Sequence, residues 1–221
     1  MDLFDLIGPV MIGPSSSHTA GAARIGLTAQ MLLGEEVASA RIGFHGSFAK
    51  TYRGHGTDRA IVGGLMGMAV DDIRLRDSLA CAQKAGIEIC FETVSIRGAH
   101  PNTVRLELTG CSGARLLMEA ASVGGGNIEI RRLDGLNVAF NGKENTLIVH
   151  QNDAPGVIAR VTSCIANQRV NIATLQVYRR NAGGDAMMVM ELDGELETYT
   201  LEYMKRLEGV LNVTFLKRRI G

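Results

Sequence analysis

The C-terminal third of the chain alternates between extended and helical patterns of apolar residues. Residues 146–150 form a short extended run, and Ile158, Val161 and Ile165 then recur at helical spacing. Strands are predicted at 170–178, 186–192 and 210–216, with a hairpin loop at 181–185 and a second helix marked by Leu201 and Met204. The order βαββαβ predicts a ferredoxin-like unit. One face of its sheet is expected to be left free for a partner.

The N-terminal part has a less regular pattern. Apolar residues at 20, 23, 27 and 31 predict a helix that ends near Gly34, and further helices are predicted at 57–70 and 75–85. Alternating residues predict strands at 40–45, 87–91, 104–108 and 128–130. This non-repeating order favours the α+β class over a doubly wound sheet. A polar, turn-rich stretch at 141–145 divides the predicted domains, 1–141 and 146–221.

Composition narrows the classes of function. The 221 residues carry 23 basic and 23 acidic side chains, so the net charge is zero and a nucleic-acid partner is not expected. The longest basic run is the terminal Lys217-Arg218-Arg219, which is read as a solvated chain end. No stretch reaches about 18 uninterrupted apolar residues, so no membrane span is expected. The acidic start lacks the layout of a secretory signal, which predicts a cytoplasmic protein.

Four cysteines are spread along the chain and lack the spacing of a metal site. Cys81, Cys90, Cys111 and Cys164 contain no Cys-x-x-Cys pair, the usual mark of zinc or iron–sulfur ligation. Buried or half-buried thiols in a reducing compartment are the expectation. This chain is therefore predicted to hold no metal cluster of its own.

The segment from Gly13 to Thr19 carries the strongest chemical signal. Its serines (Ser15, Ser16 and Ser17) precede the first amphipathic helix, where free N–H groups and the helix dipole favour a carboxylate or phosphate. His18 and Thr19 add further polar groups, and Gly13-Pro14 is expected to fix the approach of the chain. One serine would suffice as a cap. The run therefore predicts a binding site for a small polar metabolite.

Glycines on both sides of His55 open space around this imidazole at a predicted loop-to-helix junction. A histidine held in this way can titrate near neutrality and act as acid, base or ligand anchor. An ordinary loop or core role is an equal alternative. For His45, at a predicted strand end, the structural role is favoured.

Two glycine-containing turns are weaker candidates. Residues 98–103 form a turn before a strand, and the segment contains His100, Asn102 and Thr103. Residues 122–127 contain three consecutive glycines, which permit either a tight turn or close approach of a ligand. No nucleophile elbow, phosphate loop or dinucleotide fingerprint occurs in the sequence, which disfavours phosphoryl transfer and hydride transfer on a cofactor held by this chain.

In the C-terminal unit, the turn at 152–158 lies between the first strand and the first helix. Gly156 and the helix N-terminus predict a small anion site, which Asn171 on the next strand could close in a dimer. A purely structural turn is an equal alternative. The residues assigned to this site are Asn152, Asp153, Pro155, Gly156, Val157, Ile158 and Asn171.

These segments together resemble the beta chain of bacterial iron–sulfur-dependent L-serine dehydratase, also called L-serine deaminase or L-serine ammonia-lyase. The resemblance covers essentially the whole chain, and the turn 153–157 in its βαββαβ frame looks like an ACT domain. The motifs that carry it are Gly13-Pro14-Ser15-Ser16-Ser17-His18-Thr19-Ala20-Gly21, Gly54-His55-Gly56-Thr57-Asp58, His100-Pro101-Asn102-Thr103 and Ser122-Val123-Gly124-Gly125-Gly126.

The resemblance implies an alpha chain that carries a [4Fe-4S] cluster, and conversion of L-serine to pyruvate and ammonia, which feeds gluconeogenesis. It implies an N-terminal substrate-binding-like fold, shared with regulatory domains of some phosphoglycerate dehydrogenases, and inactivity of this chain alone. An iron of the cluster would act as Lewis acid on serine. His18, or less directly His55, would supply the base or orient the substrate. The serines, Asn102 and Thr103 would hold the carboxylate.

Two other functions remain open at this point. In the first, His18 and the serines hold an effector, serine being the favoured one, and only regulate the alpha chain. In the second, both units simply assemble a dimer. The effector of the ACT-like unit and the stoichiometry with the alpha chain are not fixed by the sequence.

Overall fold

The computed structural model describes residues 15–218. The chain divides into two compact units, with the division between Gly135 and Leu136. Both units mix helices with strands, which confirms the α+β class. Within the described range, no helix is both long and apolar enough to cross a bilayer. The predicted role of Gly13-Pro14 and the interpretation of Arg219 concern positions outside the described residues.

Within residues 15–135, the first unit contains a π-helical turn, Ser16–Gly21, followed by four α-helices and five strands. The helices are α1 (Ala22–Leu33), α2 (Gly46–His55), α3 (Thr57–Leu65) and α4 (Ser78–Lys84), with a 3₁₀ turn at Ile73–Asp77. The strands are β1 (Val37–Phe44), β2 (Glu88–Thr93), β3 (Thr103–Gly110), β4 (Arg115–Gly124) and β5 (Asn127–Leu133).

These five strands hydrogen-bond in the order β2-β1-β3-β4-β5. The pair β1–β2 is parallel and the other three pairs are antiparallel. Side chains alternate along each strand, so one face of the sheet is apolar. That face supplies the core of the unit together with α1, α2 and α3. The largest fully buried side chains of this core are Phe44, Phe48, Ile25, Ile42, Ile61, Leu106, Met118 and Ile130.

Two glycines let α1 and α3 approach more closely than larger residues would allow. A Cβ added to Gly26 would lie 2.2 Å from the carbonyl oxygen of Ile61. A Cβ added to Gly64 would lie 2.1 Å from that of Ala23. Because α1 follows the serine run and α3 follows His55, this close contact fixes the two candidate segments relative to each other.

Two elements of this unit escaped prediction. Residues 46–55, for which no helix was predicted, form the helix α2, so His55 ends a helix instead of a loop. Its two glycines and many polar residues weaken the apolar stripe that marks a helix. The strand β4 was also missed. Glu119, Ala121 and Ser122 are buried on it beside the apolar residues, which hides the two-residue alternation.

The second unit begins with the short strand β6 (Leu136–Phe140) and continues as the predicted βαββαβ series. Its four-stranded sheet has the order β10-β7-β9-β8, which is the ferredoxin-like arrangement. The elements are β7 (Asn145–Asn152), α5 (Val157–Asn167), β8 (Ile172–Arg179), β9 (Asp185–Leu192), α6 (Thr198–Met204) and β10 (Val210–Leu216).

The sheet face opposite the two helices was expected to be free, and this expectation is wrong for its two central strands, β7 and β9. Leu147 and Val149 pack with the helices in the core, so the alternating residues of the same sheet point the other way. Ile148, Met187 and Val189 are among them, and they are at most 4% exposed. Within this unit, Ala139 of β6 contacts Tyr178 of β8: its N–H donates to the tyrosine hydroxyl, and its carbonyl accepts from that hydroxyl. This face is therefore buried at β7 and β9, whereas residues 174 and 176 on β8, which share it, are exposed.

Candidate active site

The serine run forms a capped π-helical turn immediately before α1. Ser15 is the N-cap residue, and its hydroxyl accepts a hydrogen bond from the backbone N–H of His18 at 3.3 Å. The same hydroxyl lies 3.2 Å from Nδ1 of the His18 ring. The backbone carbonyl of Ser15 accepts from the N–H of Thr19 at 2.9 Å. Ser15 therefore positions His18, and its own polar groups are used in doing so.

The imidazole of His18 is packed against α2. Its ring centroid lies 4.8 Å from that of His55 at an interplanar angle of 72°, and 5.2 Å from that of the fully buried Phe48. Nδ1 faces Ser15, while Nε2 is buried and has no hydrogen-bond partner among the described residues. A buried ring nitrogen without a partner is costly unless a ligand or water satisfies it.

The electrostatic environment keeps this ring neutral. Burial is the main factor that lowers the pKa of His18, and the neighbouring His55 lowers it further. Because the ordinary pKa of histidine is already below 7, His18 is uncharged at neutral pH. An uncharged imidazole with an unoccupied ring nitrogen can accept a proton from a bound molecule, provided that the nitrogen is the unprotonated one.

The same part of the unit contains several other buried polar atoms without a partner. They are hydroxyl oxygens of residues in the π-helical turn, at the start of α3 and near the end of β4. Most buried side-chain polar groups in folded proteins are hydrogen-bonded, so a group of exceptions indicates a place for water or a ligand. Within residues 15–218, the unpartnered hydroxyls of this unit are Thr19 Oγ1, Thr57 Oγ1 and Ser122 Oγ.

His55 occupies the C-terminal end of α2 and not a loop. Gly56 follows with a φ of +70°, which is a conformation that favours glycine, and α3 begins at Thr57. A two-helix corner thus presents the His55 ring to His18. Gly54 has open space around it, with no atom within 4 Å of an added Cβ.

The side chains of the turn at 98–103 are largely engaged in local contacts. Nδ1 of His100 accepts from the N–H of Asn102 at 3.1 Å, and the hydroxyl of Thr103 donates to the carbonyl of His100 at 2.7 Å. The backbone of the turn supports the site, because the carbonyl of Pro101 accepts from the N–H of Ser47 at the start of α2. The side chains of His100 and Thr103 are consequently less available to a ligand than the sequence suggested.

His45 takes the structural role that the sequence favoured. Its Nδ1 lies 3.2 Å from the backbone N–H of Ile96 and 3.3 Å from the carbonyl of Val94. These contacts tie β1 to the segment after β2. His45 therefore stabilises the loop and has no free Nδ1 for a ligand.

Ser122 belongs to the glycine-containing segment 122–127, and the sequence analysis does not assign it to the predicted binding site. The three glycines that follow it all have positive φ values and form the turn between β4 and β5. Ser122 itself is fully buried, and its N–H donates to the carbonyl of Asn102. A Cβ added to Gly21 would lie 2.1 Å from Ser122 Oγ, so the π-helical turn rests directly on this serine.

The candidate site of the second unit is an exposed turn. Asp153 pairs with Arg179 at 2.8 Å and accepts the N–H of Gly183 at 3.0 Å, and these contacts lower the pKa of its carboxyl. Gly156 caps α5 with a φ of +86° and no side-chain cap. The helix continues through Val157 and Ile158, the latter 42% exposed.

Asn171 does not lie with this turn in one chain. Asn152 is paired with Asp185 at one end of the sheet, whereas Asn171 precedes the pair Ile172–Leu192 at the opposite end. Its side-chain amide donates to Asp193 at 2.8 Å. The predicted closure of the anion site by Asn171 would therefore require a second copy of the chain.

The described residues do not form a metal site. The four cysteines lie on α4, on β2, in the turn after β3 and on α5, and all are free thiols. Across residues 15–218, no three His, Cys, Asp or Glu side chains are grouped so as to hold an ion. The donor set of this range does not fit a [4Fe-4S] cluster.

Comparison with known proteins identifies the family. A family model described as "Serine dehydratase beta chain" matches residues 1–86. A protein from Bacillus subtilis (strain 168), "Probable L-serine dehydratase, beta chain", is 41% identical over 212 residues, which is 96% of each chain. This chain belongs to the serine dehydratase beta-chain family. The recognition made from its motifs is confirmed.

Two further relatives and a second family model also match the chain. "L-serine dehydratase, beta chain" from Peptoniphilus asaccharolyticus is 34% identical over 194 residues, covering 87% of each chain. A "D-3-phosphoglycerate dehydrogenase" from Bacillus subtilis (strain 168) is 24% identical over 196 residues, which is 88% of this chain and 37% of that protein. A second model, "AHAS small subunit-like ACT domain", matches residues 147–212 and confirms the ACT domain.

Proposed function

We propose that this chain is the beta subunit of an iron–sulfur L-serine ammonia-lyase, which converts L-serine to pyruvate and ammonia together with an alpha subunit. Membership of the serine dehydratase beta-chain family supports the reaction class. The observation that carries the proposal is the neutral, packed imidazole of His18, whose Nε2 has no hydrogen-bond partner among residues 15–218. We propose a cytoplasmic enzyme that supplies pyruvate to gluconeogenesis.

The reaction requires a base, because the α-proton and the β-hydroxyl of serine must leave to give an enamine. We assign the base to His18, whose Nε2 would take the α-proton. For this, Nδ1 must carry the ring's proton and donate it to Ser15 Oγ, a contact of 3.2 Å that fits this tautomer. His55, with its ring beside that of His18, would orient the base or the substrate.

The remaining polar groups would bind the substrate. Ser16, Ser17 and the buried hydroxyl of Thr19 lie beside His18 and are proposed to contact the polar groups of L-serine. Asn102 is also proposed to contact L-serine, since its backbone carbonyl accepts a hydrogen bond from the N–H of Ser122. Ser15, His100 and Thr103 act mainly by positioning, because their polar side-chain atoms already have partners.

We place the [4Fe-4S] cluster on the alpha subunit, since the described part of this chain offers no suitable set of ligands. The site of the beta chain is then completed by its partner. On this proposal the isolated chain is inactive. We further propose that the ACT domain forms a homodimer and binds an amino-acid effector at residues 152–158, with Asn171 contributed by the second copy.

A purely regulatory role is the second candidate, favoured by the ACT match over residues 147–212. In that case His18 would hold serine as an effector, and no residue of this chain would take part in bond breaking. The two roles differ in what the loss of His18 does to turnover when binding and assembly are intact.

The test uses the purified chain mixed anaerobically with its alpha subunit and iron. Pyruvate formed from L-serine is followed for wild type and His18→Ala, and serine binding and assembly are measured on the same samples. Loss of turnover with binding and assembly intact supports catalysis. Full turnover with lost activation by serine would support regulation, and no pyruvate from the wild-type mixture would refute the proposed function.

A further inference from the structure

Arg24 is a half-buried cation that stands out because it has no counter-charge among residues 15–218. It lies in the first turn of α1, and its Nη1 donates to the backbone carbonyl of Gly126 at 3.0 Å. Among the described residues, no carboxylate lies within 4 Å of its guanidinium, and burial alone lowers its pKa. By contrast, the half-buried Arg105 reaches Glu119 at 2.8 Å. A partly desolvated charge that lacks a partner favours the binding of an anion.

A second observation points to the same place. Ser122 is fully buried on the helix-facing side of β4, and its Oγ has no hydrogen-bond partner among residues 15–218. It rests against Gly21, which is one helical turn before Arg24, and Arg24 contacts the hairpin that follows Ser122. The guanidinium and the hydroxyl therefore both lie where the start of α1 packs on the end of β4. We call this contact, formed by Gly21, Arg24, Ser122 and Gly126, the seam.

The chemistry of this seam matches a carboxylate. A guanidinium offers five N–H donors in a planar fork, and the carbonyl of Gly126 uses one of its nitrogens. The helical backbone runs from the π-helical turn into α1 without a break, so the positive end of its dipole lies at the serine run that precedes this seam. The hydroxyl of Ser15, by contrast, is already engaged by His18.

We propose that Arg24 and Ser122 form the subsite that holds the carboxylate of the small polar metabolite bound next to His18. Arg24 supplies the charge and the fork, and Ser122 donates a single hydrogen bond. The assignment of the metabolite as L-serine rests on the proposed function. The carboxylate subsite itself rests on the two side chains.

The test compares two ligands that differ at the carboxylate, L-serine and L-serinamide, on the assembled alpha–beta enzyme under anaerobic conditions. Their dissociation constants are measured by calorimetry for wild type, Arg24→Met, Arg24→Lys and Ser122→Ala, and KM and kcat are measured for L-serine. The matched control is Arg131→Met, an exposed arginine that pairs with Glu129 at 2.8 Å.

Arg24→Met is expected to raise the Kd and KM for L-serine about 10- to 100-fold, since hydrogen bonds to charged groups contribute that much. Binding of L-serinamide should be nearly unchanged, so the preference for the carboxylate disappears. Arg24→Lys should retain part of the preference for L-serine over L-serinamide. Ser122→Ala should lose less of this preference than Arg24→Met, and Arg131→Met should bind both ligands as the wild type does.

Two results would overturn the inference. Equal weakening of both ligands by Arg24→Met and Arg24→Lys would show that Arg24 only clamps the hairpin. An unchanged Kd for L-serine would place the carboxylate elsewhere. If the wild type makes no pyruvate but binds L-serine in preference to L-serinamide, and Arg24→Met abolishes that preference, the carboxylate subsite stands and the proposed function fails. If the wild type makes no pyruvate and shows no such preference, both fail.

Discussion

Each unit of the protein has a turn that leads into a helix, and the two turns differ in how their polar groups are satisfied. The turn before α1 holds His18 and Thr19, each with a buried atom that has no partner among the described residues, and His18 packs against the buried Phe48. The turn before α5 is exposed, and its carboxylate at Asp153 is already paired with Arg179. Both have the helix N-terminus that favours an anion.

The comparison shows that a helix N-terminus alone does not distinguish a chemical site from a turn. What distinguishes the first turn is the combination of burial, a neutral imidazole and hydroxyls without partners. These features make water exclusion and proton transfer possible there. The second turn is suited to reversible contact with solvent-borne molecules or with another chain.

The largest expected effect is on turnover. His18→Ala in the assembled enzyme should lower kcat for L-serine about 100-fold or more, because a general base contributes at least that factor. His150→Ala is the matched control, since this histidine lies in β7 of the second unit and faces Asp185 at 3.8 Å. The measurement is the rate of pyruvate formation. An equal loss of kcat in His18→Ala and His150→Ala would contradict the assignment of the base to the first unit.

The packing of the first turn should be visible in stability. Gly21→Ala places a Cβ 2.1 Å from Ser122 Oγ, and it should lower the free energy of unfolding by about 1–3 kcal/mol. Gly54→Ala, in the open part of α2, should be neutral or stabilising by up to about 1 kcal/mol. Thermal unfolding of both variants tests this, and a Gly21→Ala variant as stable as Gly54→Ala would contradict the close contact.

The pH dependence should carry a contribution from His18. Its pKa is lowered in the folded state, so the stability linked to its neutral form is present above the ordinary value of 6.5 and is lost as the pH falls below it. Between pH 7.5 and pH 5, the Tm of wild type should fall more than that of His18→Gln. Parallel curves for the two proteins would show that His18 is not kept neutral by the fold.

The smallest effect is expected at the exposed turn. Asp153→Asn removes the pair with Arg179, which solvent screens, so Tm at pH 7 should decrease only slightly. Because the pKa of Asp153 is lowered in the folded state, this small difference is present above its ordinary pKa of 3.8 and disappears as the pH falls below it. A decrease in Tm as large as that caused by Gly21→Ala would mean that the exposed turn contributes as much to stability as the buried one.

The sequence allowed the second unit to be predicted more completely than the first. In the ACT domain, the apolar runs are short, separated by glycine turns and paired with neighbours, so periodicity alone predicts the order of elements. The burial of the central strands on its second sheet face was missed, because the pattern of one strand does not reveal what packs on it. The sequence pattern gives no sign of burial on the side away from the helices, where the buried residues are Ile148, Met187 and Val189.

In the first unit, the serine run was visible because it is denser in hydroxyls than a helix cap requires. The role of Ser122 was not assigned, since its importance depends on Gly21, which lies 101 positions earlier. Arg24 was likewise indistinguishable from any polar residue on an amphipathic helix. Which side chains lack a partner is a property of the folded chain, and no pattern along the sequence carries it.

The most direct test of the account is hydrogen–deuterium exchange of the assembled enzyme with and without L-serine, because one experiment covers both turns. We predict slower exchange in the peptides spanning 15–23 and 46–58 when L-serine is present at concentrations that saturate turnover. Protection confined to residues 147–158, with the first turn unchanged, would contradict the assignment of the substrate site to His18 and its neighbours.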